Sequence, residues 1–296
     1  MSAALRNNET FATNSLPGAD SSIEETAKKK EPLYIIKIGG NIIDDETKLS
    51  AFLKKFSSIN GHKILVHGGG KMATRVAEAM GIKQQMIEGR RITDAETLKV
   101  VTMVYAGYIN KNIVAQLQAT GCNAIGLSGA DGNVICSHKR AASSPSGASG
   151  LDYGFAGDVD EINTILIQQL LQQNISLVFC PITHDKNGLL LNTNADTIAQ
   201  GIAKSMSSRY NVSLIYCFEK AGVLMDAADN KSVISSINAA TFLQLKEKNI
   251  IAEGMIPKLQ NAFAALDAGV QQISIGHADN LQQLITQASG TSILHA

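Results

Sequence analysis

The chain is expected to fold as an α/β protein around a mostly parallel sheet. Three observations lead there. From Pro32 onward, short β-branched runs alternate with longer helical stretches. Several of those stretches end at glycine or asparagine, the residues that tolerate the left-handed conformation at a helix stop. At 296 residues and 45% hydrophobic, the chain can bury one large core or two modest ones.

The first strand expected is LYIIKIG, 33–39. Lys37 interrupts it, and Gly39 and Gly40 close it at the carboxyl end, where open α/β sheets place their ligands. A lysine in a buried run needs a partner for its ammonium; alone, Lys37 reads more readily as snorkelling from an edge strand. The second strand is HKILVHG, 62–68, and the glycines after it lead into a helix over 71–81. Amides without β-carbons, beside the positive end of a helix, form an anion cradle. No Walker A pattern is present. Gly68, Gly70 and Ala73 match G-x-G-x-x-A, with Glu88 near the spacing of a ribose-binding acid, so a dinucleotide-binding reading and a plain tight turn both stay open.

Thr93 and Glu96 form a T-x-x-E capping box, which starts a helix after Arg90-Arg91 that runs to about Gly121. A strand over 123–129 follows. KRAASSPSGASGL, within 139–151, has no periodicity and reads as an exposed surface insertion. A helix over 161–174 and a strand over 175–182 come next. In LLLNTNADTIAQGIAK, Asn192, Asn194 and Asp196 cluster where a loop becomes a helix over 195–208, with Asp196 in its first turn. Capping by Asn194 would account for one of these three polar residues. After a strand over 213–219, a helix over 257–269 opens with Pro257 and Lys258, and a strand over 271–276 follows. A lysine at a positive helix end calls for a compensating anion, although Lys258 alone could be a surface residue.

The 26 basic and 26 acidic side chains cancel, so no global field attracts nucleic acid or an anionic membrane. Cys122, Cys136, Cys180 and Cys217 form no C-x-x-C pair and read as buried thiols in a reducing compartment. No apolar run approaches a membrane span and no signal-peptide pattern opens the chain, which makes a cytoplasmic location the default. Residues 1–31 are too polar to bury and read as a disordered tail.

Two lysines, a carboxylate and several glycine or helix-start amides suit phosphoryl transfer, in which a protein positions groups and neutralises spreading charge. A carboxylate acceptor fits best. It is already ionised at neutral pH, and none of the six histidines stands in a Ser/His or Cys/His arrangement that would supply a general base.

In order and spacing, IIKIGGN, LVHGGGK, GRRIT, LNTNAD, EGMIPKLQNA and GTSIL resemble the amino acid kinase superfamily, within it the branch acting on N-acetyl-L-glutamate. The resemblance runs from about residue 33 to the end. It implies the carbamate kinase-like fold, a three-layer αβα sandwich with a mostly parallel central sheet in two lobes: 32–200 for the acylglutamate and 201–296 for ATP. It also implies transfer of the γ-phosphoryl of ATP, accompanied by Mg2+, to the side-chain carboxylate, giving an acyl phosphate of arginine biosynthesis. On this resemblance Lys37 binds the migrating phosphoryl group, Lys258 the ATP phosphates, and Asp196 holds both lysines. Gly39, Gly40, Gly69 and Gly70 offer amides to the phosphoryl group and the acceptor. Arg91 and Asn192 grip the α-carboxylate, while Glu219 and Gly222 join the nucleotide site.

The resemblance further implies small-molecule substrates, no resident metal, no nucleic acid or membrane partner, and a homodimer; the tail lacks an amphipathic helix that would build an arginine-sensitive hexamer. Arg90 is expected outside the site. Two departures stand out: FEKAGV carries Glu219 where the family often has aspartate, and an insertion falls around 143–150. They resemble a Bacteroidetes-type subgroup in which the acyl group can be succinyl, so N-succinyl-L-glutamate is the alternative acceptor. More remote alternatives are an NAD-dependent dehydrogenase using Glu88 and a non-catalytic amino-acid-sensing module.

Overall fold

A computed structural model describes residues 30–87, 90–141, 150–226, 228–251 and 255–295. Residues 1–29 of the expected 1–31 tail, most of the 139–151 loop and Glu88 lie outside the described residues. The strands are β1 (Pro32–Ile38), β2 (His62–His67), β3 (Gln85–Ile87), β4 (Arg90–Ile92), β5 (Ala124–Leu127), β6 (Ile135–Lys139), β7 (Ala156–Ile162), β8 (Ser176–Phe179), β9 (Ile182–His184), β10 (Leu190–Thr193), β11 (Asn211–Phe218), β12 (Ser236–Ile237), β13 (Gln272–His277) and β14 (Thr291–Ile293). The α-helices are α1 (Gly40–Ile43), α2 (Glu46–Ser57), α3 (Gly70–Ala79), α4 (Ala95–Thr102), α5 (Asn110–Ala119), α6 (Thr164–Gln172), α7 (Ala195–Met206), α8 (Ala239–Glu247), α9 (Ile256–Asp267) and α10 (Leu281–Ile285).

Eight strands form the main sheet in the order β12-β14-β13-β11-β1-β2-β8-β5, parallel throughout except where β14 runs against β13. All six expected strands are in it. Strand β1 is central, with Lys37 opposite Tyr216 on one side and Val66 on the other, so the edge-strand account of Lys37 does not hold. Alternation along β1 sends Leu33 and Ile35 to a core under α6, α7, α8 and α9, and Ile36 and Ile38 to a second core under α2, α3, α4, α5 and α10. The αβα sandwich follows from that division. Lys37 shares the parity of Leu33 and Ile35, which points it toward α7 and α9.

The expected helix over 93–121 is present as α4, a π-helical segment (Met103–Ile109) and α5 in unbroken succession. Its start differs from the T-x-x-E expectation. Asp94 is the cap, accepting the Thr97 amide at 2.7 Å, while Thr93 is buried and its hydroxyl donates to the Arg91 carbonyl at 3.2 Å. Aspartate competes well for the cap position and leaves Thr93 free to face the site.

A closed four-stranded unit, β10-β7-β6-β9, and the β3–β4 hairpin complete the fold. The cysteines are free and buried. No helix among the described residues is long and apolar enough to cross a membrane.

Candidate active site

Strand β1 ends at Ile38, and Gly39 is the extended residue that opens α1. Beside it, β2 ends at His67 and Gly69 opens α3. Gly69 has φ +153°, and an added β-carbon would lie 2.4 Å from Ile109 Cδ1 and 3.0 Å from Tyr105 Cδ1. Both contacting side chains belong to the π-helical segment, so that widened turn closes on the glycine loop.

Across the sheet, Asn194 caps α7, accepting the Asp196 and Thr197 amides at 2.8 and 3.2 Å. Capping thus explains Asn194 and leaves Asp196 free to act. The Asp196 carboxylate spans both lysines: Lys37 Nζ is 2.6 Å from Oδ1 and Lys258 Nζ is 3.6 Å from Oδ2. Pro257 stands in the first turn of α9, which delivers Lys258 from that helix's positive end. Burial alone would raise the Asp196 carboxyl; the charges of Lys37 and then Lys258 outweigh it and hold the pKa below the ordinary carboxylate value. Phe218, at the end of β11, lies under both ammonium groups, its ring centroid 4.3 Å from Lys258 Nζ and 5.8 Å from Lys37 Nζ.

Two cavities flank this triad. The first, of about 180 Å³, is lined by Gly68, Gly69, Gly70, Arg91, Asn192 and Asn194, among others. Arg91 is 8% exposed. Its guanidinium donates to the Gly70 carbonyl and the Thr74 hydroxyl, both at 2.9 Å, and to the Gln84 side chain. Among the described residues no carboxylate pairs with it, so a buried positive charge faces this cavity with neutral partners only. Asn192 reaches Thr93 Oγ1 at 3.0 Å on the same wall.

The second cavity, of about 250 Å³, is walled by Phe218, Val223, Leu224, Ile250, Ile251 and Met255, with Glu219, Gly222 and Lys258 also on its lining. A β-carbon on Gly222 would lie 2.7 Å from Thr291 Oγ1 and 2.8 Å from Val233 Cγ1, which accounts for glycine there.

Of the residues read from sequence, Lys37, Lys258 and Asp196 meet directly. Gly69, Gly70, Arg91 and Asn192 share the first cavity, and Glu219, Gly222 and Lys258 the second. Gly39 and Gly40 are not on either lining; Gly40 stands instead against the Lys71 stem, 3.8 Å from where its β-carbon would be. Arg90 is a correction. It is half-buried and lines the first cavity, because the hairpin that carries it folds over that opening. Phe218, Tyr105 and Arg140 were missed. Arg140, paired with Asp158, lines the same cavity from the start of the aperiodic 139–151 stretch, which carries no signal; Phe218 is legible only as the residue before Glu219.

Two lysines on one carboxylate, glycine amides at helix starts and a buried cation across an adjoining cavity define a small-molecule phosphotransferase. A model of the Amino acid kinase family matches residues 32–277, and the chain belongs to that family. It is 53% identical over 257 residues to acetylglutamate kinase of Cytophaga hutchinsonii, covering 87% of this chain and 96% of that one. To acetylglutamate kinase of Phocaeicola vulgatus it is 53% identical over 264 residues, covering 89% and 99%. Among solved structures, smu.665 from Streptococcus mutans superposes with a TM-score of 0.70 at 26% identity, over 88% of this chain and 98% of that chain.

Proposed function

We propose that the chain transfers the γ-phosphoryl group of ATP to the side-chain carboxylate of N-acetyl-L-glutamate, forming N-acetyl-L-glutamyl 5-phosphate. One observation carries this reading. Asp196 bridges Lys37 and Lys258 beside both cavities: Asn194 and Ala195, just before it, line the first, and Lys258 lines the second.

In this mechanism the acceptor occupies the first cavity, with its α-carboxylate on Arg91, assisted by Asn192. A guanidinium fork suits that bidentate task. Gly69 and Gly70 direct amides to the acceptor carboxylate, and Gly39 and Gly40 to the incoming phosphoryl group. The adenosine end of ATP enters the apolar second cavity beside Glu219 and Gly222. Lys37 neutralises the transferring group and Lys258 the leaving phosphates, while Asp196 keeps the two ammonium groups from separating. No general base is needed, since the attacking carboxylate is already ionised.

Mg2+ travels on the ATP phosphates, as substrate. Both Asp196 oxygens face lysines, so that carboxylate serves the two ammonium groups. The first cavity draws wholly on residues up to 200 and the second wholly on residues after it, which supports lobes at 32–200 and 201–296. Met103 and Tyr108, large and more than half exposed on one helical segment, support a homodimer. A cytoplasmic setting fits the buried free thiols. Both relatives above are named for acetylglutamate, which favours the acetyl acceptor over the succinyl one.

The test is hydroxylamine trapping. N-acetyl-L-glutamate, ATP and Mg2+ should yield an acyl hydroxamate in step with ADP; ADP without hydroxamate, or neither product, overturns the reading.

A further inference from the structure

His67 ends β2 and is completely buried, immediately before the glycine loop. Its Nδ1 lies 2.7 Å from the Gly68 carbonyl oxygen, and its Nε2 lies 3.2 Å from Asn110 Nδ2. A carbonyl can only accept, so Nδ1 carries the proton and Nε2 takes the Asn110 N–H in its lone pair. Asn110 is itself fixed: Nδ2 also donates to the Val178 carbonyl at 2.9 Å, and Oδ1 accepts from Lys111 Nζ at 3.2 Å. Lys111 is anchored in turn on the Gly126 carbonyl at 2.9 Å. A β-carbon on Gly126 would stand 1.8 Å from Asn110 Oδ1, so glycine at 126 makes room for this network.

The peptide that follows explains its use. In a trans peptide the carbonyl and the next N–H point in opposite directions. With the Gly68 carbonyl turned toward His67 in the core, the Gly69 N–H is turned away from it, on the loop that lines the first cavity. The Gly68 N–H is also tied down, donating to the Ile38 carbonyl at 3.2 Å.

We infer that His67 and Asn110 are positioning residues that hold the Gly68–Gly69 peptide so that the Gly69 amide is aimed at the acceptor carboxylate. The inference rests on the acceptor assignment proposed above. The imidazole is neutral in this role, and burial lowers its pKa to about 4, which keeps it so at working pH.

Two variants of the full chain separate orientation from packing. His67→Asn keeps a donor near the Nδ1 position; His67→Gln keeps a polar group near Nε2 and loses the donation to Gly68. The expected result is a fall of about thirtyfold in kcat for His67→Gln with the KM for ATP within about twofold, and His67→Asn within about fivefold of wild type. Equal kcat for wild type and His67→Gln, or equal losses in both variants, overturns the inference while leaving wild-type turnover, and so the acceptor reading, intact. Should either variant fold poorly, nitrogen-15 NMR of histidine-labelled wild-type chain decides. His67 should show a protonated Nδ1 and a bare Nε2 from about pH 5.5 to 8; the opposite tautomer, or titration in that interval, overturns it.

Discussion

Lys37 Nζ lies 2.6 Å from Asp196 Oδ1, joining the central strand of the sheet to the first turn of α7. The two residues are 10% and 15% exposed at the side chain, and Lys258 approaches the other carboxylate oxygen from α9. Replacing Asp196 with asparagine leaves two cations without their common counter-charge. The expected loss is about 1–3 kcal/mol of stability, at the low side of a buried pair because Lys258 reaches solvent, together with at least a hundredfold in kcat. Urea unfolding and steady-state turnover check both; unchanged turnover would remove Asp196 from the mechanism.

Arg91→Lys replaces a planar fork with a point charge at the place assigned to the α-carboxylate. KM for N-acetyl-L-glutamate should rise by about ten- to a hundredfold while kcat changes little, since ground-state binding is what is lost. An unaltered KM would move the α-carboxylate off this arginine.

Gly69→Ala puts a β-carbon 2.4 Å from Ile109 Cδ1 at a φ of +153°. Strain and overpacking together should cost about 2–4 kcal/mol, read as a lower urea midpoint with an unchanged slope. A midpoint equal to wild type would mean that the π-helical segment gives way easily and does not brace the loop.

The burial of His67 has a pH signature. Its pKa of about 4 lies below the ordinary 6.5, so below pH 6.5 the unfolded chain takes up a proton that the folded chain refuses. Stability from this residue is complete above about pH 6.5 and declines as pH falls toward 4, by up to about 3 kcal/mol. Unfolding free energies at pH 7 and 5 should differ by about 2 kcal/mol more in wild type than in His67→Asn, which has no imidazole to titrate. Equal differences would contradict a neutral buried ring.

Much of the fold is legible because six strands of four to eight residues lie in β-branched, apolar-rich runs and several helices stop at glycine or asparagine. Strands β12 and β14, of two and three residues, are too short to register as runs, and β7 carries Asp158, Asp160 and Glu161 on a half-exposed unit that no apolar pattern marks. At the site, local chemistry announced Lys37, Asp196 and Lys258: a charge in a buried strand, a surplus acid at a capped helix, and a lysine against a dipole. Arg90, Arg140, Tyr105 and Phe218 come to the cavities through tertiary folding, and each is unremarkable among its sequence neighbours. The cap near residue 93 is ambiguous in the sequence because Thr93 and Asp94 both satisfy the local rule, and only the demand for a hydroxyl beside Arg91 and Asn192 separates them.

The central claim is that Lys37 and Lys258 serve one transferring phosphoryl group through a shared carboxylate, and a double-mutant cycle on kcat tests it most directly. Lys37→Ala and Lys258→Ala should each lower kcat by about a thousandfold, and the double variant should lose at least about tenfold less than the product of the two. Losses that multiply to within about twofold would mean that the lysines act independently, which contradicts the account.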